Sequence, residues 1–103
     1  MWTKDSIRRL LDRNPRAVRR GIVRLFSFQE IDEQRDTRTR WLNRQGFSVA
    51  TVKAGTVLAR KVLMRQTWTR EDHWRAYSIC RLHAGQLASY ANAVNERRPA
   101  RAA

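Results

Sequence analysis

Arginine side chains recur at a regular interval in the first quarter of the chain. Arg16, Arg20 and Arg24 follow i, i+4, i+8 spacing, which places them in one row along a helix. Arg13 and Arg19 lie near the same side, and no acidic residue occurs between Arg13 and Arg24. Guanidinium groups match the geometry of phosphate and carboxylate oxygens. The spacing predicts a row of polyanion contacts. The alternative is an ordinary solvent-exposed face, which normally mixes charges of both signs.

A second group of cations surrounds aromatic residues in the stretch TRTRWLNRQGF. Arg38, Arg40 and Arg44 are suited to hold backbone phosphates, and Trp41 either stacks on an unpaired base or packs in the core with Phe47. A Trp beside a Leu, followed by a turn and a Phe, is more typical of a core anchor. We therefore predict that Trp41 is buried and that the three arginines face the partner.

Metal binding and catalysis find little support in the sequence. Cys80 and His83 are one helical turn apart and His73 lies two turns earlier, but these are the only Cys and His residues of the chain. They do not complete a closed zinc site on one helix. Cys80 also falls on an apolar stripe, where a free Cys is usually a small core residue. We predict no enzyme, no cofactor, no metal and no small-molecule substrate.

The whole chain is strongly basic. It has 22 Lys and Arg against 9 Asp and Glu, a net charge of +13, and its only lysines are Lys4, Lys53 and Lys61. A compositional bias of the genome explains the preference for arginine over lysine equally well, but it explains the net charge less well. Because such an excess repels itself, a polyanionic partner is the simplest explanation. The expected partner is nucleic acid, DNA or RNA, or a host nucleoprotein complex that holds it.

The cellular compartment is predicted from what the sequence lacks. A single cysteine allows no internal disulfide, which fits a reducing cytosol. The N-terminus MWTKDSIRRLL is charged and has no signal-peptide apolar core. No apolar run approaches the roughly 20 residues that a membrane span needs. We expect a cytoplasmic protein without a membrane partner.

Hydrophobic periodicity predicts an all-α, compact bundle of about four helices that forms a single domain over residues 1–96. The helices are expected at about 4–13, from 15 to 28 or as far as 34, at 49–66 and at 70–95. A short extended segment near 47–52 is the main alternative. Residues 97–103 are basic without an apolar pattern, and are expected to be a disordered tail.

Helix caps and core positions follow from the same pattern. Thr3 or Asp5, Asn14, Ser48 and Thr69 are expected to cap the four helices. The expected core residues are Val18, Ile22 and Leu25 of the second helix, Leu58 and Val62 of the third, and Tyr77, Cys80, Ala84, Leu87, Ala91 and Val94 of the fourth. Gly46 suits a turn with positive φ, and Gly85 would need a close backbone contact mid-helix. Trp68 and Trp74 are expected to pack.

Three stretches resemble a group of small basic helical proteins carried by phages and plasmids, and segments of phage helicase-like proteins. They are NPRAVRRGIVRLF, NRQGFS and AGQLASYAN. The resemblance covers about residues 6–95. The group has no assigned biochemistry, so the resemblance implies origin in a mobile element and no particular activity. Where the group has KYAGQL, this chain has Leu82, His83, Ala84, Gly85, Gln86 and Leu87.

Taken together, the sequence predicts a non-catalytic nucleic-acid-binding protein, DNA-binding or RNA-binding, from a mobile element. It would hold phosphates through Arg13, Arg16, Arg19, Arg20, Arg24, Arg38, Arg40 and Arg44. Phosphate contacts carry no sequence specificity. The alternatives are a phage-encoded inhibitor such as an anti-CRISPR protein, or a structural subunit, either of which would dock on a nucleoprotein complex.

Overall fold

Five helices make up the described part of the chain. The structure is a computed structural model that describes residues 1–34 and 46–97, with side chains for 1–28 and 46–94. The helices are α1 Lys4–Arg13, α2 Pro15–Gln34, α3 Val52–Leu63, α4 Arg70–Leu82 and α5 Ala84–Arg97. The all-α prediction is confirmed, and the predicted count of four is corrected to five. Within the described residues there is no strand, so the alternative of an extended segment near 47–52 is wrong.

The starts of α1 and α2 are set by local capping, as predicted. The Thr3 hydroxyl accepts from the Ser6 amide at 3.1 Å, and the Ser6 hydroxyl accepts from the Thr3 amide at 2.7 Å. At the next helix the Asn14 side chain accepts from the Arg16 amide at 3.0 Å, with Pro15 as first helical residue. These bonds, reciprocal between Thr3 and Ser6 and single at Asn14, satisfy amides that have no partner inside the helix.

The start of α3 differs from the prediction. Gly46 has φ 90°, as expected for the turn. Ser48 does not cap the helix with its side chain; its carbonyl accepts from the Val52 amide at 2.9 Å, and Thr51 is the residue before the helix. Phe47 is buried against Gly55, where an added Cβ would lie 2.5 Å from the ring. This close contact fixes the entry to α3.

The predicted fourth helix is two helices that divide at His83. His83 ends α4, and its carbonyl accepts from the amides of Gln86 and Leu87 in the first turn of α5. Gly85 is therefore in the first turn of α5, not mid-helix. The group that approaches it is the Lys4 side chain, since an added Cβ would lie 2.9 Å from Lys4 Cε. The expected close contact is thus with a side chain and not with a backbone.

The core is built on one side of α2, which contacts each of the other four helices. Val18, Ile22 and Leu25 are fully buried, as predicted. The remaining predicted positions divide into two groups. Those that are buried are Leu58, Cys80, Ala84 and Leu87, and those that are only partly buried are Val62, Tyr77, Ala91 and Val94. Gly21 lets α2 and α4 approach, because an added Cβ would lie 2.9 Å from Cys80 Sγ.

Among the described helices, none has the length and apolar character required to span a membrane. The predicted tail 97–103 lies outside the described residues, except for Arg97, the last residue of α5.

Candidate nucleic-acid interface

The row of arginines predicted on α2 lies on the outer side of that helix. Arg16, Arg20 and Arg24 are exposed, while Val18 and Ile22 of the same helix have no exposed surface. At 3.6 residues per turn, the three arginines fall within about 80° around the helix axis and span about 12 Å along it. The helix therefore presents three cations to solvent at an even spacing of roughly 6 Å.

The structure separates Arg13 and Arg19 from this row. Arg13 is the last residue of α1 and is exposed. Arg19 is half-buried, and its guanidinium lies 5.7 Å from the centre of the Trp68 ring. Trp68 in turn donates from Nε1 to the Leu58 carbonyl at 3.1 Å. Arg19 thus packs on an aromatic residue that is itself fixed, at the side of the row.

Arg24 is held in place by an aromatic contact at the other end of the row. Its guanidinium carbon lies 4.2 Å from the centre of the Tyr90 ring, and that ring packs against Phe28 with 5.6 Å between centroids. A guanidinium over an aromatic face is a favourable cation–π contact. Because the contact uses the face of the guanidinium, it does not occupy the in-plane N–H donors of Arg24, and no described carboxylate pairs with them.

The arginines of α2 lack acidic partners within the described side chains. The two ion pairs found there are Lys61–Asp72, at 2.9 Å, and Arg81–Asp12, at 4.0 Å. Neither includes an arginine of α2 or Arg13. A face whose cations are not neutralised by neighbouring carboxylates retains its attraction for an external anion.

An open groove of about 720 Å³ adjoins the arginine row. Four helices contribute to it: Ile7, Leu10 and Leu11 from α1; Arg16, Ala17, Arg19, Arg20, Gly21, Val23 and Arg24 from α2; Val62 and Leu63 from α3; and Leu87 and Tyr90 from α5. The lining is thus apolar apart from four arginines and a tyrosine. We call it the α2 groove.

The second group of predicted site residues lies outside the described part of the chain. These residues are Arg38, Arg40, Arg44 and Trp41. The first described residue after them is Gly46, whose amide donates to Gln86 Oε1 at 2.7 Å and whose carbonyl accepts from Gln86 Nε2 at 3.1 Å. This pair of bonds ties Gly46 to the first turn of α5.

The two tryptophans that flank the turn before α4 have different environments. Trp68 is half-buried, as predicted, whereas Trp74 is 57% exposed and Leu82 on the same helix is 65% exposed. Trp74 packs edge-on against Tyr77, with 5.5 Å between ring centres. The prediction that Trp74 is packed away is therefore wrong. The hydrophobic periodicity of the sequence predicted neither the exposure of Trp74 nor the contact of Tyr90 with Arg24.

Cys80 occupies the core and not a reactive site. It is fully buried, its thiol lies 3.5 Å from the Val18 carbonyl, and burial raises its pKa to about 12. The thiol is therefore protonated at neutral pH, and a thiol in that state is a poor nucleophile. Among the described residues, no three His, Cys, Asp or Glu side chains are grouped closely enough to hold a metal ion.

His83 is held by a hydrogen-bond network that fixes its tautomer. Because the Gly46 amide donates to Gln86 Oε1, the Gln86 Nε2 group is a donor, and it lies 3.3 Å from His83 Nδ1. Nδ1 must accept, so the proton is on Nε2, which faces Thr51 Oγ1 at 3.3 Å. Burial lowers the pKa of His83, which favours this neutral form. The imidazole joins the start of α3 to α5.

Comparison with protein-family models, with curated proteins and with solved structures found no significant match to this chain. The chemistry of the exposed arginine face and of the α2 groove is therefore the basis for a functional interpretation.

Proposed function

We propose that this protein binds nucleic acid, without catalysis, through the outer face of α2. The observation that carries the proposal is the row of Arg16, Arg20 and Arg24, exposed on one side of a helix and without a carboxylate partner among the described side chains. Nucleic acid offers evenly repeated negative charge, and cations that neutralise phosphates gain affinity by releasing counterions. The buried side of α2, with Val18, Ile22 and Leu25, fixes the helix in the bundle and so positions the row.

The arrangement supports phosphate contact more than base recognition. The arginines lie along the outside of a helix whose opposite side is buried, so they meet a partner as a flat row. Contacts of this kind set position and affinity and carry little sequence information. The net charge of +13 adds attraction at longer range, which is strongest at low salt. We therefore expect salt-dependent binding with weak sequence preference.

The test replaces Arg16, Arg20 and Arg24 together by Gln and measures affinity by fluorescence anisotropy. We expect binding about 10-fold weaker or more, because three phosphate contacts are lost. The slope of log affinity against log salt should become flatter by about 2 to 3 units, at about 0.7 to 0.9 per contact.

The matched control removes the same charge elsewhere. Arg9, Arg70 and Arg75 are exposed and do not line the α2 groove, so replacing them by Gln lowers the net charge equally. We expect a much smaller loss of affinity for this control. If both variants bind equally well, net charge alone drives binding and the outer face of α2 is not the interface.

A second candidate is docking on a nucleoprotein complex as an inhibitor or a subunit. The exposure of Trp74 and Leu82, on the outer face of α4, favours it, since exposed aromatic residues are enriched at protein interfaces. Recovery of the tagged protein from its host, with and without nuclease, separates the candidates. A defined protein complex that survives nuclease and is lost on Trp74→Ala would favour docking. Recovery of nucleic acid alone would favour direct binding.

A further inference from the structure

The α2 groove combines two chemistries that a simple phosphate contact does not need. Arg16, Arg20 and Arg24 line it, and beside them it is lined by aliphatic side chains, among which Leu63 is 56% exposed. Exposed apolar surface beside a row of cations suits an occupant that carries both negative charge and apolar surface. The groove is therefore more specific than the charge row alone.

We propose that the occupant is single-stranded nucleic acid, with phosphates on the arginine row and unpaired bases in the α2 groove. This inference rests on the proposed function and specifies its substrate class. In a duplex the base faces are stacked inside, where the groove cannot reach them. In a single strand the bases are free to leave the stack and to lie on aromatic or guanidinium surfaces.

The contact between Arg24 and Tyr90 supports a base as the apolar group. The Arg24 guanidinium carbon lies 4.2 Å from the centre of the Tyr90 ring, and that ring packs against Phe28. The two contacts hold the guanidinium in position. Planar guanidinium and aromatic groups are the surfaces on which unpaired bases stack. A volume of about 720 Å³ also falls within the range of sites that enclose small organic molecules.

The decisive probes carry equal numbers of phosphates and differ in their bases. They are a 15-nucleotide oligothymidylate and an abasic oligomer of the same length. At one salt concentration, we expect oligothymidylate to bind about tenfold more tightly than the abasic oligomer, because base stacking adds to the phosphate contacts. Equal affinity for these two probes would overturn the single-strand inference and leave phosphate binding intact.

Two equally exposed aliphatic residues on α3 provide a matched pair of variants. Leu63 and Val57 are both 56% exposed, but only Leu63 lines the groove. Leu63→Gln should lower the preference for oligothymidylate over the abasic oligomer to about threefold or less, while Val57→Gln should keep it near tenfold. Affinity for the abasic oligomer should be the same in both variants.

The remaining outcomes distinguish a failure of the single-strand inference from a failure of the proposed function. If no oligonucleotide binds, or if the Arg16, Arg20 and Arg24 substitutions change nothing, the proposed function fails. If Leu63→Gln lowers thermal stability without changing the preference, Leu63 packs within the protein and the groove does not hold bases. If oligoglutamate of equal charge displaces oligothymidylate at equal concentration, the groove suits an acidic protein and the inference is overturned.

Discussion

The outer faces of α2 and α4 carry similar numbers of arginines, but the two helices differ in the acidic residues that lie near those arginines. On α2 four arginines precede the first acid, Glu30, whereas α4 has three arginines and both Glu71 and Asp72 in its first turn. Two acids near α4 are engaged: Asp72 pairs with Lys61, and Asp12 accepts a hydrogen bond from the Tyr77 hydroxyl and lies 4.0 Å from Arg81. Cations near α4 are thus partly neutralised within the protein.

This difference separates charges that support the fold from charges that remain available to a partner. Lys61, Asp72 and Thr69 form one connected unit at the start of α4, where the Asp72 carboxylate accepts from the amide of the N-cap Thr69 and pairs with Lys61. Among the described side chains, the α2 arginines instead contact aromatic rings or face solvent. Surface charge left without internal partners costs some stability through self-repulsion and adds attraction for an anion. The three variants below test this division, from the largest expected effect to the smallest.

The largest effect should come from the core on which both faces rest. Leu87 is 8% exposed, and its Cδ1 lies 3.4 Å from the point where a Cβ on Gly21 would be. Leu87→Ala should lower the free energy of unfolding by about 2–5 kcal/mol, since it removes a buried side chain and leaves a cavity. Chemical denaturation measures this change.

Leu82→Ala is the control for the core variant. Leu82 is 65% exposed and lies one residue before the break at His83, so its truncation should change stability by less than about 0.5 kcal/mol. If Leu87→Ala and Leu82→Ala lowered the free energy of unfolding equally, Leu87 would not be a core residue and Leu82 a surface residue.

An intermediate effect is expected at Asp72, where charge supports the fold. Asp72→Ala removes the Asp72 half of the capping box at the start of α4 and the partner of Lys61, and should lower the free energy of unfolding by about 1 kcal/mol. The hydrogen bond from Lys61, followed by that from the Thr69 amide, lowers the pKa of this carboxyl. Its contribution is therefore complete above the unfolded-state pKa of about 4 and is lost as pH falls through the lower folded-state value.

The measurement is chemical denaturation of parent and variant from pH 7 down to pH 3. The stability difference between them should narrow below about pH 4. Glu71→Ala is the matched control, because Glu71 is exposed in the same helical turn and makes no side-chain hydrogen bond with the described residues. A difference that persists unchanged to low pH would mean that Asp72 acts through packing and not through charge.

Local signals in the sequence predicted the beginnings of helices better than their interruptions. The Thr3, Asn14 and Thr69 caps involve residues within three positions of one another, so the sequence alone identifies them. At the break, His83 contacts Thr51, which is 32 positions away, and nearby Gln86 bonds to Gly46 across 40 positions. The buried pattern from Cys80 to Leu87 continues across the break, so periodicity does not reveal it.

The candidate site was predictable in part for the same reason. The spacing of Arg16, Arg20 and Arg24 places them on one side of any helix. Which aromatic residue lies near them is a tertiary fact, since Tyr90 meets Arg24 only because α5 packs beside α2. Likewise Trp68 and Trp74 have similar local sequence signals, and only the packing of α3 against α4 distinguishes the half-buried Trp68 from the exposed Trp74.

The smallest expected effect is at Arg20. It is also the sharpest test of the distinction between charges that support the fold and charges that remain available to a partner. Arg20 lies four residues from both Arg16 and Arg24, and like charges at this spacing destabilise a helix by about 0.2–0.5 kcal/mol per pair. Unlike Arg19 and Arg24, Arg20 does not stack on an aromatic ring among the described residues. Arg20→Gln should therefore raise the free energy of unfolding by about 0.4–1 kcal/mol at low salt.

Salt provides the internal check on this last prediction, because it screens exposed charges. The gain from Arg20→Gln should shrink between 0.05 and about 0.5 M salt, while the parent itself becomes more stable. Arg81→Gln is the control from the other face: it removes an arginine that lies 4.0 Å from Asp12, so it should leave stability unchanged or slightly lower. If Arg20→Gln instead destabilises the protein, Arg20 has a partner that holds it within the fold. The α2 face would then resemble the α4 face, and the case for an external polyanion would lose its main support.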